Sequence, residues 1–419
     1  MIWSKTTAIA VSALVLIPTL LSAGADAAGT AEHVSASDSS SPPGHVHAGN
    51  EALIGTSVIN SASELAASHS AESALTAKMS AAQLAGQRVI YSYAGLTPPA
   101  SLLTLIRRGE AAGVIFFAAN FKNRSQFSRA VSQLVAANAS TGNPARAYPL
   151  LLMTDQEGGL VRRFPGAPVQ SEKQIGAIRP ITAAEAAASK AGASAASNLR
   201  SYRINVNLAP VLDVYRKPGD FDDQYQRSYS MRPGVVSTLG SDFITAQQKG
   251  KVAATAKHFP GLGAATAAQN TDDVPVTLNL SAATIENFDE YPYKAAIKAG
   301  VKLVMVSWAK YPALDSKFPA GLSTKIVQGQ LRTRLGFTGV TITDAIGAGA
   351  LSHYGTTQNR ALLAAEAGME LILSAGETPQ EGVDCLDGLE SGYTSGKLGS
   401  ATFKADVAQI LTLRKGLPV

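Results

Sequence analysis

The feature that most constrains the fold of this chain is an alternation, repeated eight times, of short apolar runs with longer amphipathic segments. Apolar or β-branched runs predict strands at 88–93, 113–117, 150–154, 206–209, 252–257, 302–306, 340–343 and 370–373. Between them, apolar residues at three- and four-residue spacing predict helices such as 125–137, 183–198, 234–249, 285–299 and 325–335. This pattern predicts an α/β fold of the (β/α)8 TIM-barrel type. An open doubly wound sheet is the alternative, but no glycine-rich phosphate loop follows the first strand.

The first 27 residues have the features of a secretory signal peptide. Lys5 precedes an apolar stretch over 8–21, and small residues follow at Ala23, Ala25 and Ala27. A membrane-spanning helix needs about 20 apolar residues, so the shorter stretch argues against stable membrane insertion. No cysteine lies near the cleavage site, which excludes the lipid-anchored form of export. We therefore expect a secreted or extracytoplasmic protein.

Residues 28–78 are predicted to be a flexible linker. They are rich in Ala, Ser, Gly and His and contain almost no large apolar side chains, so they cannot bury enough surface to offset the cost of ordering. Residues 79–419 suit one large barrel domain. The single cysteine, Cys385, excludes an internal disulfide and a cysteine-based metal site, so the core must supply the stability.

Composition also restricts the partners. The formal net charge is +5, yet the chain has no basic run interleaved with aromatic residues of the kind that nucleic-acid grooves use. Surface solvation accounts for the charge. We expect no nucleic-acid partner, and we expect the protein to be a monomer.

Polar side chains cluster at the carboxyl ends of the predicted strands. The residues at these positions are Asp155, Asp213, Lys257, His258, Ser307 and Asp344. In a barrel enzyme that face carries the chemistry. Small neighbours leave space around Asp344, so its carboxylate could attack an anomeric carbon. Asp155 starts a segment with a glycine pair and two arginines, which suits recognition of sugar hydroxyls by charge-assisted hydrogen bonds.

Several separated motifs, in this order, resemble those of the family-3 glycoside hydrolases, and most closely the single-domain bacterial β-N-acetylhexosaminidases. They are Asp-Gln-Glu-Gly-Gly from Asp155 with Arg163-Phe164, Leu-Ala-Pro-Val-Leu-Asp ending at Asp213, Arg-Ser-Tyr from Arg227, Lys-His-Phe-Pro-Gly from Lys257, and Leu-Gly-Phe-Thr-Gly-Val at 335–340 leading to Asp344. The resemblance extends from about residue 80 to the C-terminus.

This resemblance implies a retaining glycosidase in which Asp344 is the nucleophile and Asp155 holds sugar hydroxyls. It also places four further side chains in the sugar subsite: Arg163, Arg227, Lys257 and His258. The family needs no metal or organic cofactor for the reaction. The expected substrate is a terminal β-linked N-acetylglucosamine on cell-wall or chitin-derived oligosaccharides, with a β-glucosidase of the same family as the alternative.

The loop after Lys-His-Phe-Pro-Gly departs from the family pattern, because it lacks the Asp-Ser-His whose Asp–His pair is the general acid/base. One alignment puts Asp272 at the position of that histidine, and another puts Thr271 there. We predict Asp272 as the general acid/base, with Asp273 as the next candidate. A sugar-binding protein that has lost its acid/base is the alternative. Trp308 stands where the hexosaminidases tend to have a histidine, and could stack on a sugar ring or pack in the core.

Overall fold

The computed structural model of this chain describes residues 71–418, in which eight parallel strands close into a barrel. The barrel strands are β1 (Val89–Tyr91), β2 (Gly113–Ile115), β3 (Leu151–Thr154), β6 (Val206–Asn207), β7 (Ala253–Phe259), β8 (Leu303–Val306), β9 (Val340–Ala345) and β10 (Leu371–Leu373). Two short strands after β3, β4 (Gln156–Gly158) and β5 (Val161–Arg162), form an antiparallel hairpin. The barrel order is β1-β10-β9-β8-β7-β6-β3-β2, so the predicted (β/α)8 fold is confirmed.

Helices surround the barrel, and all five predicted helical segments are helical. The α-helices are Ala81–Gly86, Ala100–Arg108, Arg124–Asn138, Glu172–Gly176, Ile181–Ser201, Phe221–Gln224, Pro233–Lys249, Ala282–Thr284, Tyr291–Lys298, Thr357–Ala367, Pro379–Thr394 and Ser400–Lys415. Ile285–Asp289 and Lys325–Arg334 are π-helical, and short 3-10 turns occur at Ala118–Asn120, Ala320–Leu322 and Gly349–Leu351. Among the described helices, none is both long and apolar enough to cross a membrane.

Local sequence signals explain where individual helices begin and end. The Asn123 side chain accepts a hydrogen bond from the amide of Gln126, which caps the start of the Arg124–Asn138 helix. Gly109 has a φ of 76° and ends the Ala100–Arg108 helix in a left-handed conformation that favours glycine. Asn123 lies in the strand-to-helix loop after β2, whereas Gly109 lies in the helix-to-strand loop before β2.

The barrel interior is filled by every second residue of the strands. On β3 the buried pair is Leu151 and Met153, on β7 it begins with Ala253, and on β9 it is Val340 and Ile342. Because side chains alternate across a strand, positions 155, 257 and 344 lie on the same side as these buried residues. The two-residue period therefore carries an aspartate, a lysine and an aspartate to the carboxyl end of the barrel axis.

The C-terminal helix, Ser400–Lys415, closes the opposite end of the barrel. Ile410 belongs to the same apolar cluster as the barrel interior, and Leu413 packs against that cluster. The buried Arg414 donates from Nε to the carbonyl of Pro149, just before β3. With this end covered, the carboxyl ends of the strands are left for the functional site.

The last eight residues of the predicted linker, 71–78, lie within the part of the chain that the structure describes. Residues 71–76 are helical, and Glu72 is buried, where it accepts hydrogen bonds from the Tyr148 hydroxyl at 2.8 Å and from Lys415 Nζ at 3.3 Å. Low hydrophobicity suggests flexibility, but here polar tertiary contacts anchor the segment. The predicted signal peptide, the linker over 28–70 and its histidines lie outside the described residues.

Candidate active site

The polar residues at the carboxyl end of the barrel are held by strands more than by loops. Lys257 and His258 lie within β7, which runs to Phe259, and Asp344 lies within β9, which runs to Ala345. The sequence placed these strand ends two residues earlier. Side chains on strands are positioned more accurately than side chains on loops, so the site is built on a rigid frame.

Lys257 lies between two carboxylates from the β3 side of the barrel. Its Nζ is 2.8 Å from Asp155 Oδ1 and 2.8 Å from Glu157 Oε1, and all three residues are buried. Burial alone lowers the pKa of the Lys257 ammonium, but Asp155 and then Glu157 outweigh it, so the pKa is raised. The ammonium therefore stays charged and fixes the direction of both carboxylates.

Arg227 is held by two acidic side chains, Glu157 and Asp222. Its Nε and Nη2 donate to Glu157 at 2.9 and 3.0 Å in a bidentate pair, and Nη1 donates to Asp222 Oδ1 at 3.1 Å. Burial disfavours ionised Glu157, yet Arg227 and Lys257 together lower its pKa to about 2. Glu157 thus joins the lysine and the arginine in one continuous network.

His258 forms a buried ion pair with Asp213. His258 Nδ1 lies 2.6 Å from Asp213 Oδ2, and the amides of His258 and Leu262 also donate to this carboxylate. Burial lowers the pKa of the His258 imidazole. The effect of Asp213 is in the opposite direction, and the net shift of the pKa is upward. The pKa of Asp213 is lowered, because His258 and the amides outweigh burial. Both shifts put the proton on the imidazole.

Removing the lysine should destabilise the protein strongly. We expect Lys257→Met to lower the free energy of unfolding by about 3–5 kcal/mol, because it leaves Asp155 and Glu157 buried without their shared cation. Chemical denaturation measures this change. The matched control is Lys397→Met, which breaks a half-exposed pair with Glu366 at 3.1 Å and should cost less than about 1 kcal/mol. Equal small losses in both variants would contradict the buried network.

Asp344 is a half-buried carboxylate facing this cationic network. Its Oδ1 accepts a hydrogen bond from the Ala345 amide at 2.8 Å. Burial raises the pKa of Asp344, whereas His258, the Ala345 amide and Lys257 lower it, and the net shift is downward. Asp344 is therefore ionised at neutral pH, as a nucleophile must be.

Trp308 supports the strand that carries Asp344. The indole is buried, its Nε1 donates to the carbonyl of Ala345 at 2.9 Å, and its ring lies directly against Gly321. Of the two roles weighed for this residue, packing is the one observed. The hydrogen bond tethers the residue that follows Asp344.

Asp272 lies on the loop after β7, where the charge of Asp344 acts on it. It is half-buried, and burial first and the charge of Asp344 next raise its pKa, which favours the protonated form. Asp273 is exposed, and its Oδ2 accepts a hydrogen bond from Asn270 Nδ2 at 2.7 Å. Of the two acid candidates, Asp272 is the less exposed.

Arg163 reaches the site through the β4–β5 hairpin. Its backbone amide donates to the carbonyl of Asp155 at 3.3 Å. The next residue, Phe164, is buried in an aromatic cluster with Phe121, Phe127 and Tyr202. The hairpin therefore brings the backbone of Arg163 next to that of Asp155, and the role of the Arg163 side chain in the sugar subsite stays a prediction.

The sequence did not assign roles to four acidic residues that the structure places in or beside this network: Glu157, Glu172, Asp213 and Asp222. Glu157 belongs to the Asp-Gln-Glu-Gly-Gly motif and Asp213 follows a predicted strand, so both carried a signal. Glu172 and Asp222 carried none, because they come from helices whose placement depends on the folded barrel. Burial, and then the neighbouring Asp213, raise the pKa of Asp222 to about 7.

Among the described residues, Asp213, Asp222 and His258 each have an atom that could bind a metal ion, and these atoms lie within 4.8 Å of one another. This set fits internal hydrogen bonding better than a cation. Asp213 already pairs with His258, and Arg227 donates to Asp222 while its Nη2 lies 3.5 Å from His258 Nε2. A metal ion would have to displace or face the guanidinium, which like-charge repulsion disfavours.

Comparison with known sequences identifies the family of this chain. A family model described as the glycosyl hydrolase family 3 N-terminal domain matches residues 79–413. A relative described as an uncharacterized secreted glycosyl hydrolase from Arthroderma benhamiae is 44% identical over 334 residues, covering 80% of this chain and 93% of that protein. A β-hexosaminidase from Xanthomonas oryzae pv. oryzae is 34% identical over 273 residues, covering 64% and 77%.

Solved structures share the same fold. A glycoside hydrolase family 3 β-N-acetylglucosaminidase from Paenibacillus sp. superposes with a TM-score of 0.74 at 30% identity, over 81% of this chain but 62% of the other. This chain therefore spans less than two thirds of that protein. A β-N-acetylhexosaminidase from Beutenbergia cavernae gives a TM-score of 0.70 at 28% identity, over 80% of this chain and 99% of the other.

Proposed function

The chain belongs to glycosyl hydrolase family 3 and is a glycoside hydrolase of the β-N-acetylhexosaminidase type, and from this premise we propose that it removes terminal β-linked N-acetylglucosamine with retention of configuration. The observation that carries the proposal is the ionised Asp344, held on β9 beside the cationic pair of Lys257 and His258. A negative group in that position can attack an anomeric carbon and balance the positive charge of an oxocarbenium-like transition state.

The reaction takes two steps. In the first, Asp344 attacks the anomeric carbon while protonated Asp272 gives its proton to the glycosidic oxygen, so the aglycone leaves as an alcohol and a glycosyl ester forms. In the second, Asp272, now a carboxylate, removes a proton from water, and the water attacks the anomeric carbon and releases Asp344. Two inversions give net retention.

The remaining residues bind the sugar and fix its orientation. Asp155 accepts hydrogen bonds from sugar hydroxyls, and Arg163, Arg227, Lys257 and His258 donate to them. The role is supported by the buried network, because Lys257 and Arg227 are already ordered by Glu157 before a ligand arrives. Such preorganisation reduces the entropy lost on binding.

The sugar and the location of the enzyme rest on relatives. The names β-hexosaminidase and β-N-acetylglucosaminidase support N-acetylglucosamine over glucose. The description of the Arthroderma benhamiae relative as secreted supports export, in line with the predicted signal peptide. We propose that the enzyme acts outside the cytoplasm as a monomer, on oligosaccharides from cell walls or chitin.

A small substrate panel tests this proposal. We expect the purified protein to release the aryl group from an aryl β-N-acetylglucosaminide with a kcat/KM at least about 100-fold above that for the matching β-glucoside, since a pocket that pairs the acetamido group rejects a sugar lacking it. Turnover of the glucoside alone would identify a β-glucosidase. Sugar binding without cleavage of any substrate would identify a binding protein.

A further inference from the structure

The loop that carries Asp272 is joined through its backbone to the loop that follows the strand carrying Asp344. The loop after β7 holds Asp272, and the loop after β9 leads from Asp344 into the 3-10 turn Gly349–Leu351. The Gly349 amide donates to the carbonyl of Asp272 itself at 2.7 Å, and the Ala350 amide donates to the carbonyl of Thr271 at 3.0 Å. The backbone of Asp272, the acid candidate, is thus hydrogen-bonded to the residue that lies five positions after Asp344.

The contact requires a glycine at position 349 for reasons of space. A Cβ built on Gly349 would lie 2.1 Å from the carbonyl oxygen of Asp273 and 2.4 Å from its carbonyl carbon, closer than real Cβ atoms come. The φ of Gly349 is outside the left-handed region, so its backbone conformation would accept other residues. The colliding atoms are backbone, so relief requires movement of one loop relative to the other, which changes the position of Asp272 relative to the loop after β9.

The other end of this loop is also anchored. A Cβ at Gly263 would lie 2.3 Å from the carbonyl oxygen of Val214, and the Ala265 carbonyl accepts a hydrogen bond from the Phe221 amide at 2.9 Å. Movement caused at Gly349 is therefore confined to the part of the loop near Asp272. The result is a local change in the distance between the two carboxyl groups.

We propose that Gly349 is a positioning residue that sets the separation of the Asp272 and Asp344 carboxyl groups, an inference that rests on the function proposed above. A retaining glycosidase needs these groups about 5 Å apart. A displacement of about 1 Å in a reacting group can cost about 100-fold in rate. The close approach at Gly349 keeps the acid in range of the glycosidic oxygen.

The test is Gly349→Ala, assayed on two substrates with different leaving groups. A dinitrophenyl glycoside leaves without much protonation, whereas an alkyl glycoside or a disaccharide needs the acid. We expect kcat/KM to fall by about 10- to 100-fold on the disaccharide and by less than about 3-fold on the dinitrophenyl glycoside. The control is Gly329→Ala, an exposed helical site where a Cβ meets nothing within 4 Å, and neither rate should change.

A second variant gives the same information from the other side of the contact. Asn270 holds the turn with its side chain, because Oδ1 accepts from the Asp272 amide at 3.1 Å and Nδ2 donates to Asp273. We expect Asn270→Ala to show the same selective loss at smaller magnitude, and this variant remains informative if Gly349→Ala does not fold.

Equal losses on both substrates, or no loss on either, would overturn the positioning role. Asp272→Ala distinguishes a failure of the positioning role of Gly349 from a failure of the acid assignment of Asp272. If it shows the leaving-group dependence and the Gly349 and Asn270 variants do not, only the positioning role fails. If Asp272→Ala shows no such dependence, the assignment of the acid fails and the positioning role fails with it.

Discussion

Asp344→Asn should abolish turnover. We expect kcat for an aryl β-N-acetylglucosaminide to fall by roughly 10⁴- to 10⁶-fold, as for the loss of a nucleophile in other enzymes that form covalent intermediates. The amide cannot form the glycosyl ester, and it also removes the negative charge that balances the transition state. The pKa of Asp344 is lowered by its cationic neighbours, so the wild-type group is fully ionised where the enzyme is assayed. Steady-state kinetics measures the loss.

The control for this variant is Asp387→Asn, which makes the same chemical change at an exposed aspartate on the Pro379–Thr394 helix. It should keep kcat within about 3-fold of wild type, because surface substitutions away from a site have small effects. Thermal melting of both variants checks that they are folded. An Asp344→Asn variant that retains wild-type turnover would contradict the assignment of the nucleophile.

Asp272→Ala should lower kcat/KM by about 10²- to 10⁴-fold on a disaccharide and much less on a dinitrophenyl glycoside. The disaccharide needs a proton on its leaving oxygen, and the activated substrate does not. The second step should also slow, because water is no longer deprotonated. With the activated substrate, the glycosyl ester of Asp344 should therefore accumulate. Azide needs no general base and should restore turnover while giving a β-glycosyl azide.

The pH profile adds an independent check on Asp272. Burial and the charge of Asp344 raise its pKa, and the first step needs the protonated form. Activity of the wild type should therefore fall as the pH rises through that pKa, and this basic limb of kcat/KM should be absent from the variant. Equal losses on both substrates without azide rescue would contradict the acid/base role, and the same results for Asp273→Ala would move that role to Asp273.

The barrel and the axis of the site were predictable because both follow from local periodicity. Eight apolar runs predicted the strands, and Asp155, Lys257 and Asp344 were predicted from their positions at the carboxyl ends of three of these runs. These residues need no knowledge of distant contacts. Their order along the chain is enough to place them at the carboxyl end of a barrel.

The contacts that tune the site were not predictable from the sequence. Glu157 bridges Lys257 and Arg227, which lie 100 and 70 residues further along the chain, and only the closed barrel brings them together. The loop after β7 has no periodic pattern, so the sequence left Asp272 and Asp273 as alternatives. Trp308 was undecided because stacking and packing use the same residue type, and burial alone distinguishes them.

The most direct test of the account is the detection of the covalent intermediate on Asp344. A fluorinated glycosyl fluoride that slows the release step, incubated with the Asp272→Ala variant and followed by intact-mass and peptide mass spectrometry, should show one added glycosyl unit. We predict that the adduct lies on the peptide containing Asp344 and that it is absent from the Asp272→Ala/Asp344→Asn double variant. An adduct on a different residue, or turnover that proceeds with inversion and no adduct, would contradict the mechanism.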